Sequence, residues 1–148
     1  MKKANFKIDI KANKEKVWNI LWNDETYTKW TAPFCEGSYA QTDWNEGSKV
    51  LFLSPSGEGM YSTIFKKIPN DFMSFKHLGM VKEGKEIPID DATKKWSGAM
   101  ENYSLKEKDG LTELIVDMDI AEDHEKYFQD SFPKALEKVK ALAEETKN

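Results

Sequence analysis

The sequence predicts an α+β fold: a curved antiparallel sheet of about six to seven strands around one long C-terminal helix, in the order β-α-α-β-β-β-β-β-β-α. Three observations carry this. First, between Asp123 and Glu145 the residues Phe128, Phe132, Ala135, Leu136, Val139, Leu142 and Ala143 recur at helical spacing. At ~1.5 Å per residue that helix runs roughly 33 Å, and a stripe this wide needs a partner surface. Second, Phe6, Ile8 and Ile10, and later Leu114, Val116, Met118 and Ile120, alternate with polar neighbours as half-buried strands do. Third, turn signals divide the middle of the chain into strand-length pieces, including Ser54-Pro55-Ser56-Gly57, Pro69-Asn70-Asp71 and Asp109-Gly110. Seven strands at ~4.8 Å spacing span about 29 Å, close to the length of the helix.

Taken in order, Phe6 to Ile10 is the first strand. Asn13 is a plausible N-cap, with Glu15 in the first turn, and Val17, Trp18 and Leu21 form a short helical stripe. Asp24 is expected to cap a second helix carrying Tyr27 and Trp30, and Pro33 to end the helical region. Candidate strands follow at Phe34–Gln41, Val50–Leu53, Met60–Ile68 and Phe72–Val81. The polar run from Lys82 to Lys94 reads as a loop, and it is long for a compact domain. Trp96–Glu107 and Leu111–Ile120 read as a hairpin. Pro133 lies within the last helical stripe, which stays in phase across it, so a kink is expected rather than a restart.

The chain has 148 residues, enough for a single domain over 1–148. The net charge of −4, with both signs interspersed, leaves no basic face and argues against a nucleic-acid partner. A single cysteine, Cys35, forbids an internal disulfide and fits a reducing compartment. The N-terminus lacks the apolar core of a signal peptide, and no apolar run approaches membrane-spanning length. The expectation is a cytoplasmic protein, monomeric or weakly dimeric. Aromatic residues make up 12% of the chain, which points to a core with large pieces or a lined cavity.

Several stretches carry a family resemblance. They are Val17-Trp18-Asn19-Ile20-Leu21, Tyr27-Thr28-Lys29-Trp30, Asp43 with Gly47, Ile68-Pro69 before Phe72, and Tyr127 through Leu136. With these the chain resembles the START-like (SRPBCC, Bet v 1-like) superfamily of helix-grip proteins, within it the branch related to the activator of the Hsp90 ATPase. The resemblance covers nearly the whole chain but contains no catalytic signature. Gly47-Ser48 departs from the two glycines of many relatives. The resemblance implies a hydrophobic pocket between sheet and long helix, in a superfamily that includes lipid carriers, polyketide cyclases and cochaperone domains, so fold alone does not settle function.

The candidate cavity residues are Trp30, Phe52, Tyr61, Phe65, Phe75, His77, Trp96, Glu101, Tyr103, Phe128, Phe132 and Leu136. The alternative for the aromatics is a filled core. His77 shares a strand face with Met73 and Phe75; it would either meet a ligand or sit at the sheet margin. Glu101 shares parity with Ala99, Tyr103 and Leu105, which would aim a carboxylate into the pocket unless a bulge or strand end intervenes. Tyr61 and Tyr103 are the candidate polar handles, because a buried phenol wants a partner. His124 reads as surface and Cys35 as structural. Asp117, Asp119, Glu122 and Asp123 read as a solvated edge, and no metal site, cofactor or catalytic residue is expected. The expected partner is a hydrophobic or amphipathic small molecule; a chaperone is the alternative and a cyclase-like activity ranks third.

Overall fold

The computed structural model describes residues 1–145. Strand β1 (Lys2–Ile10) is followed by helices α1 (Lys14–Trp22) and α2 (Asp24–Trp30). Then come β2 (Tyr39–Gln41), β3 (Lys49–Leu53), β4 (Gly59–Ile68), β5 (Phe72–Lys82) and β6 (Lys85–Glu86). A short helix α3 (Asp91–Lys94) precedes β7 (Met100–Lys108) and β8 (Leu111–Ile120), and a 3-10 turn leads into α4 (Glu125–Glu144). The strands form one antiparallel sheet in the order β1-β8-β7-β5-β4-β3-β2, with β6 paired to the end of β5. This is the helix-grip arrangement, with a curved sheet of eight strands where six to seven were expected. The extra strand is the two-residue β6, which lies with α3 in the stretch expected to be a loop.

Local chemistry explains where elements begin. The Asn13 side chain accepts the Lys16 N–H at 2.8 Å and starts α1. Asn23, one residue before the expected cap, accepts the Glu25 N–H at 3.0 Å and starts α2. The strand expected from Phe34 shrinks to Tyr39–Gln41 because consecutive turns take its backbone donors: Phe34 N–H goes to Thr31 O at 2.9 Å and Ser38 N–H to Cys35 O at 3.1 Å. The strand expected from Trp96 starts at Met100, because Trp96 N–H still bonds Thr93 O at 3.0 Å in the turn that follows α3.

Two irregularities bend the sheet between β4 and β5. Tyr61 pairs with Gly79 and Ser62 with His77, which leaves Leu78 unmatched on β5. Ile64 pairs with Phe75 and Lys66 with Ser74, which leaves Phe65 unmatched on β4. Such bulges increase twist and re-aim side chains. Gly79 suits its place: a Cβ there would stand 2.6 Å from the Tyr61 ring, which lies across it.

Helix α4 buries Phe132, Ala135, Leu136, Val139 and Ala143. Pro133 lies inside the helix on its exposed side and cannot bond the carbonyl of Gln129, itself an exposed residue. Phe6 and Phe132 stack with centroids 4.8 Å apart, fixing the helix to β1. The far end is tied by Lys140 Nζ to Asp9 O at 2.9 Å and by Lys11 N–H to the Glu144 carboxylate at 2.7 Å. No helix among the described residues is long and apolar enough to cross a membrane.

On β8, Asp119 accepts the Met100 N–H at 3.0 Å and meets Lys3 Nζ at 2.7 Å. Partial burial pushes its pKa up, but Lys3 and the Met100 N–H outweigh this and hold it below the ordinary 3.8. A carboxyl depressed in the folded state lends stability that is complete above its unfolded value and lost as pH falls through the folded one. Asp119→Asn is therefore expected to flatten the acid limb of stability below about pH 4. Urea midpoints measured from pH 2 to 7 check this; an unchanged acid limb would exclude a role for this carboxylate.

Candidate functional site

Beneath the N-terminal half of α4 the layers do not meet. A recess of about 300 Å³ opens there, walled by α1 and α2, the segment after α2, β3, β4, β5, β7 and the first turns of α4. Trp22, Tyr27, Trp30, Phe52, Phe75 and Tyr103 form much of its wall. Their rings meet mostly edge to face: Trp22 and Tyr103 at 5.0 Å, Trp22 and Phe75 at 5.3 Å, Phe52 and Phe75 at 5.3 Å, Tyr27 and Trp30 at 5.4 Å. Phe34, Phe128, Phe132 and Tyr127 bound it on the helix side. The Tyr127 hydroxyl donates to Phe34 O at 2.6 Å and ties α4 to the segment after α2.

One polar chain crosses this apolar wall. Ser62 Oγ lies 2.6 Å from His77 Nδ1, His77 Nε2 lies 2.8 Å from Glu101 Oε1, and the Tyr103 hydroxyl donates to Glu101 Oε2. The register explains it. Ser62 and His77 are partners across β4 and β5, and Phe75 faces Glu101 across β5 and β7, one alternation from His77. Ser62 is fully covered and has this one partner among the side-chain bonds of the described residues. If His77 Nδ1 carried a proton, the Ser62 O–H would be left buried and unpaired. The pairing that satisfies every group has the Ser62 O–H donating to an unprotonated Nδ1, with Nε2–H donating to the Glu101 carboxylate. Burial, then the Glu101 charge, push the Tyr103 and Tyr27 phenols well above their ordinary range, so both are protonated donors.

The network is built to hold rather than to attack. A nucleophilic serine must be reachable, and Ser62 is not. The Trp22 Nε1–H is also covered, and among the described residues it is the buried side-chain polar atom left without a partner. Cys35, expected to be structural, is exposed and lies on the rim with Glu58.

Of the expected cavity residues, Trp30, Phe52, Phe75, His77, Glu101, Tyr103, Phe128 and Phe132 meet at this recess. Four lie elsewhere. Tyr61 turns to the opposite face of β4 from Ser62, beneath Lys49 Nζ at 5.7 Å from its ring centre. Phe65 occupies the bulge and is 59% exposed. Trp96 sits in the turn after α3. Leu136 is buried in the core one turn beyond Phe132, outside the recess. The inward face of β4 is Met60, Ser62 and Ile64, the parity opposite to the one its aromatics suggested. Trp22 and Tyr27 were not among the expected cavity residues. The signal for Trp22 was its place one turn after Trp18 on the α1 stripe.

No family model matches the chain, and no curated protein matches it. Solved structures do. The solution structure of the Aha1 dimer from Colwellia psychrerythraea is 22% identical, covers 100% of both chains and superposes with a TM-score of 0.75. Protein MLL2253 from Mesorhizobium loti is 14% identical over 99% of this chain and 100% of its own, with a TM-score of 0.75. ChR145 from Cytophaga hutchinsonii is 21% identical over 96% of this chain and 93% of its own, with a TM-score of 0.69. At these identities the likeness speaks for the fold alone.

Proposed function

We propose that this chain is a single START-like domain, of the branch related to the activator of the Hsp90 ATPase, that holds a small apolar or amphipathic molecule in the recess under α4. The observation that carries this reading is a hollow of about 300 Å³ walled by aromatic rings and crossed by one hydrogen-bonded polar chain. That is the usual make-up of a small-molecule site: apolar surface for affinity and a few placed polar groups for orientation. A thermal-shift screen of neutral, acidic and basic aromatic and aliphatic compounds tests it. A ligand present at 100 times its Kd stabilises the folded state by about 2.7 kcal/mol, a readily measured rise in melting temperature. If no compound class shifts the melting temperature and native mass spectrometry of protein from its own host finds no retained molecule, the reading fails.

A second reading, a cochaperone-like module, is supported by the full-length fold likeness to the Aha1 dimer. It predicts that the protein stimulates an Hsp90-type ATPase and self-associates in sedimentation experiments. Neither effect at micromolar concentration would remove it.

A further inference from the structure

We infer that the ligand of this recess is a cation, an amine or ammonium group carried on a flat apolar body, rather than a fatty acid or other carboxylate. This rests on the reading of the recess as a ligand site and names the chemistry that it selects. The chain contains 22 basic residues, all of them lysines, yet among the described residues none lines the recess. The acidic groups there are Glu101 within the wall and Glu58 at the rim. A carboxylate ligand would find no cation to pair with and would meet Glu101, a like charge, in poorly solvated surroundings.

The polar chain reinforces the sign. With the Ser62 O–H assigned as donor to Nδ1, the tautomer that leaves no buried group unpaired, His77 meets Glu101 through Nε2–H and brings no charge of its own. Tyr103 and Tyr27 stay protonated and add no charge of either sign. Nε2–H and the Tyr103 O–H occupy two of the roughly four acceptor positions of the carboxylate. Among the described residues no other donor takes the remaining ones, which leaves them for an N–H donor from the recess, into which Glu101 presents a side chain 17% exposed. Trp22, Tyr27, Phe75 and Tyr103 line the same recess, and an aromatic ring offers a cation the negative side of its quadrupole. A carboxylate beside several rings, with no competing lysine, is the combination that recognises alkylammonium groups.

The experiment uses three probes with one indole body and different tails: tryptamine, tryptophol and indole-3-propionate. Calorimetric titration of the full chain at pH 7 is expected to rank them ammonium, alcohol, carboxylate, with the ammonium at least about tenfold tighter than the alcohol. Glu101→Gln, checked for folding by circular dichroism, is expected to bring the ammonium-to-alcohol ratio close to one. A carboxylate that binds as tightly as the ammonium overturns the inference and leaves the ligand site standing. So does a ratio that Glu101→Gln does not change. If none of the three binds while another class does in the thermal-shift screen, the cation inference falls alone. If nothing binds in either experiment, both readings fall.

Discussion

Phe132→Ala is expected to destabilise the protein by about 3–5 kcal/mol, the largest loss among single aromatic truncations on α4. The side chain is 1% exposed, stacks on Phe6 at 4.8 Å and meets Phe34 edge-on at 4.8 Å. It therefore joins the helix to the first strand and to the segment after α2 at one point. Part of the loss is apolar surface returned to water, and part is the void left behind. The void adds to the recess, because Phe132 also bounds it. For a chain of this size the melting temperature should fall by roughly 10–15 °C. Urea denaturation of the variant gives the free energy directly. A loss below about 1 kcal/mol would mean that α4 does not pack on β1 as described.

Gly59→Ala is the second large expectation, and its cause is different. A Cβ at Gly59 would stand 1.8 Å from the Phe52 carbonyl oxygen and 2.8 Å from its carbon, both backbone atoms of the neighbouring strand. No side-chain rotation relieves such a contact, so β3 and β4 must separate where Leu53 pairs with Gly59. The expected cost is about 2–4 kcal/mol. Gly59 and Phe52 both line the recess, so the same displacement should weaken any ligand found in the thermal-shift screen. Amide exchange should show the faster opening concentrated in β3 and the start of β4. A variant of wild-type stability would show that β3 and β4 leave room for a methyl group at this position.

Much of the architecture was legible along the chain. The apolar stripe from Phe128 to Ala143 announced α4, and the alternation from Leu114 to Ile120 announced β8. Asp109 and Gly110, both with positive φ, make the β7–β8 turn their residue types suggested. The parity of Glu101 with Ala99, Tyr103 and Leu105 was also readable, because β7 is regular there. On β4 the same reasoning picked the wrong face. Tyr61 and Phe65 look like core residues, and Ser62 does not. Yet Ser62 faces inward and is fully covered, because a hydrogen bond to His77 compensates its burial.

What periodicity within a segment can report, it reported: the helix, the strands, their order and the need for a layer under the stripe. It has no access to contacts between segments. The Ser62–His77–Glu101–Tyr103 chain joins three strands, so it exists only in one register, and two unmatched residues, Leu78 and Phe65, set that register between β4 and β5. A one-residue slip reverses which side chains face the core. The place of the hollow is also a matter of packing: α4 borders it from Tyr127 to Phe132 and lies in the core one turn later, so Leu136 is core while Phe128 lines open space.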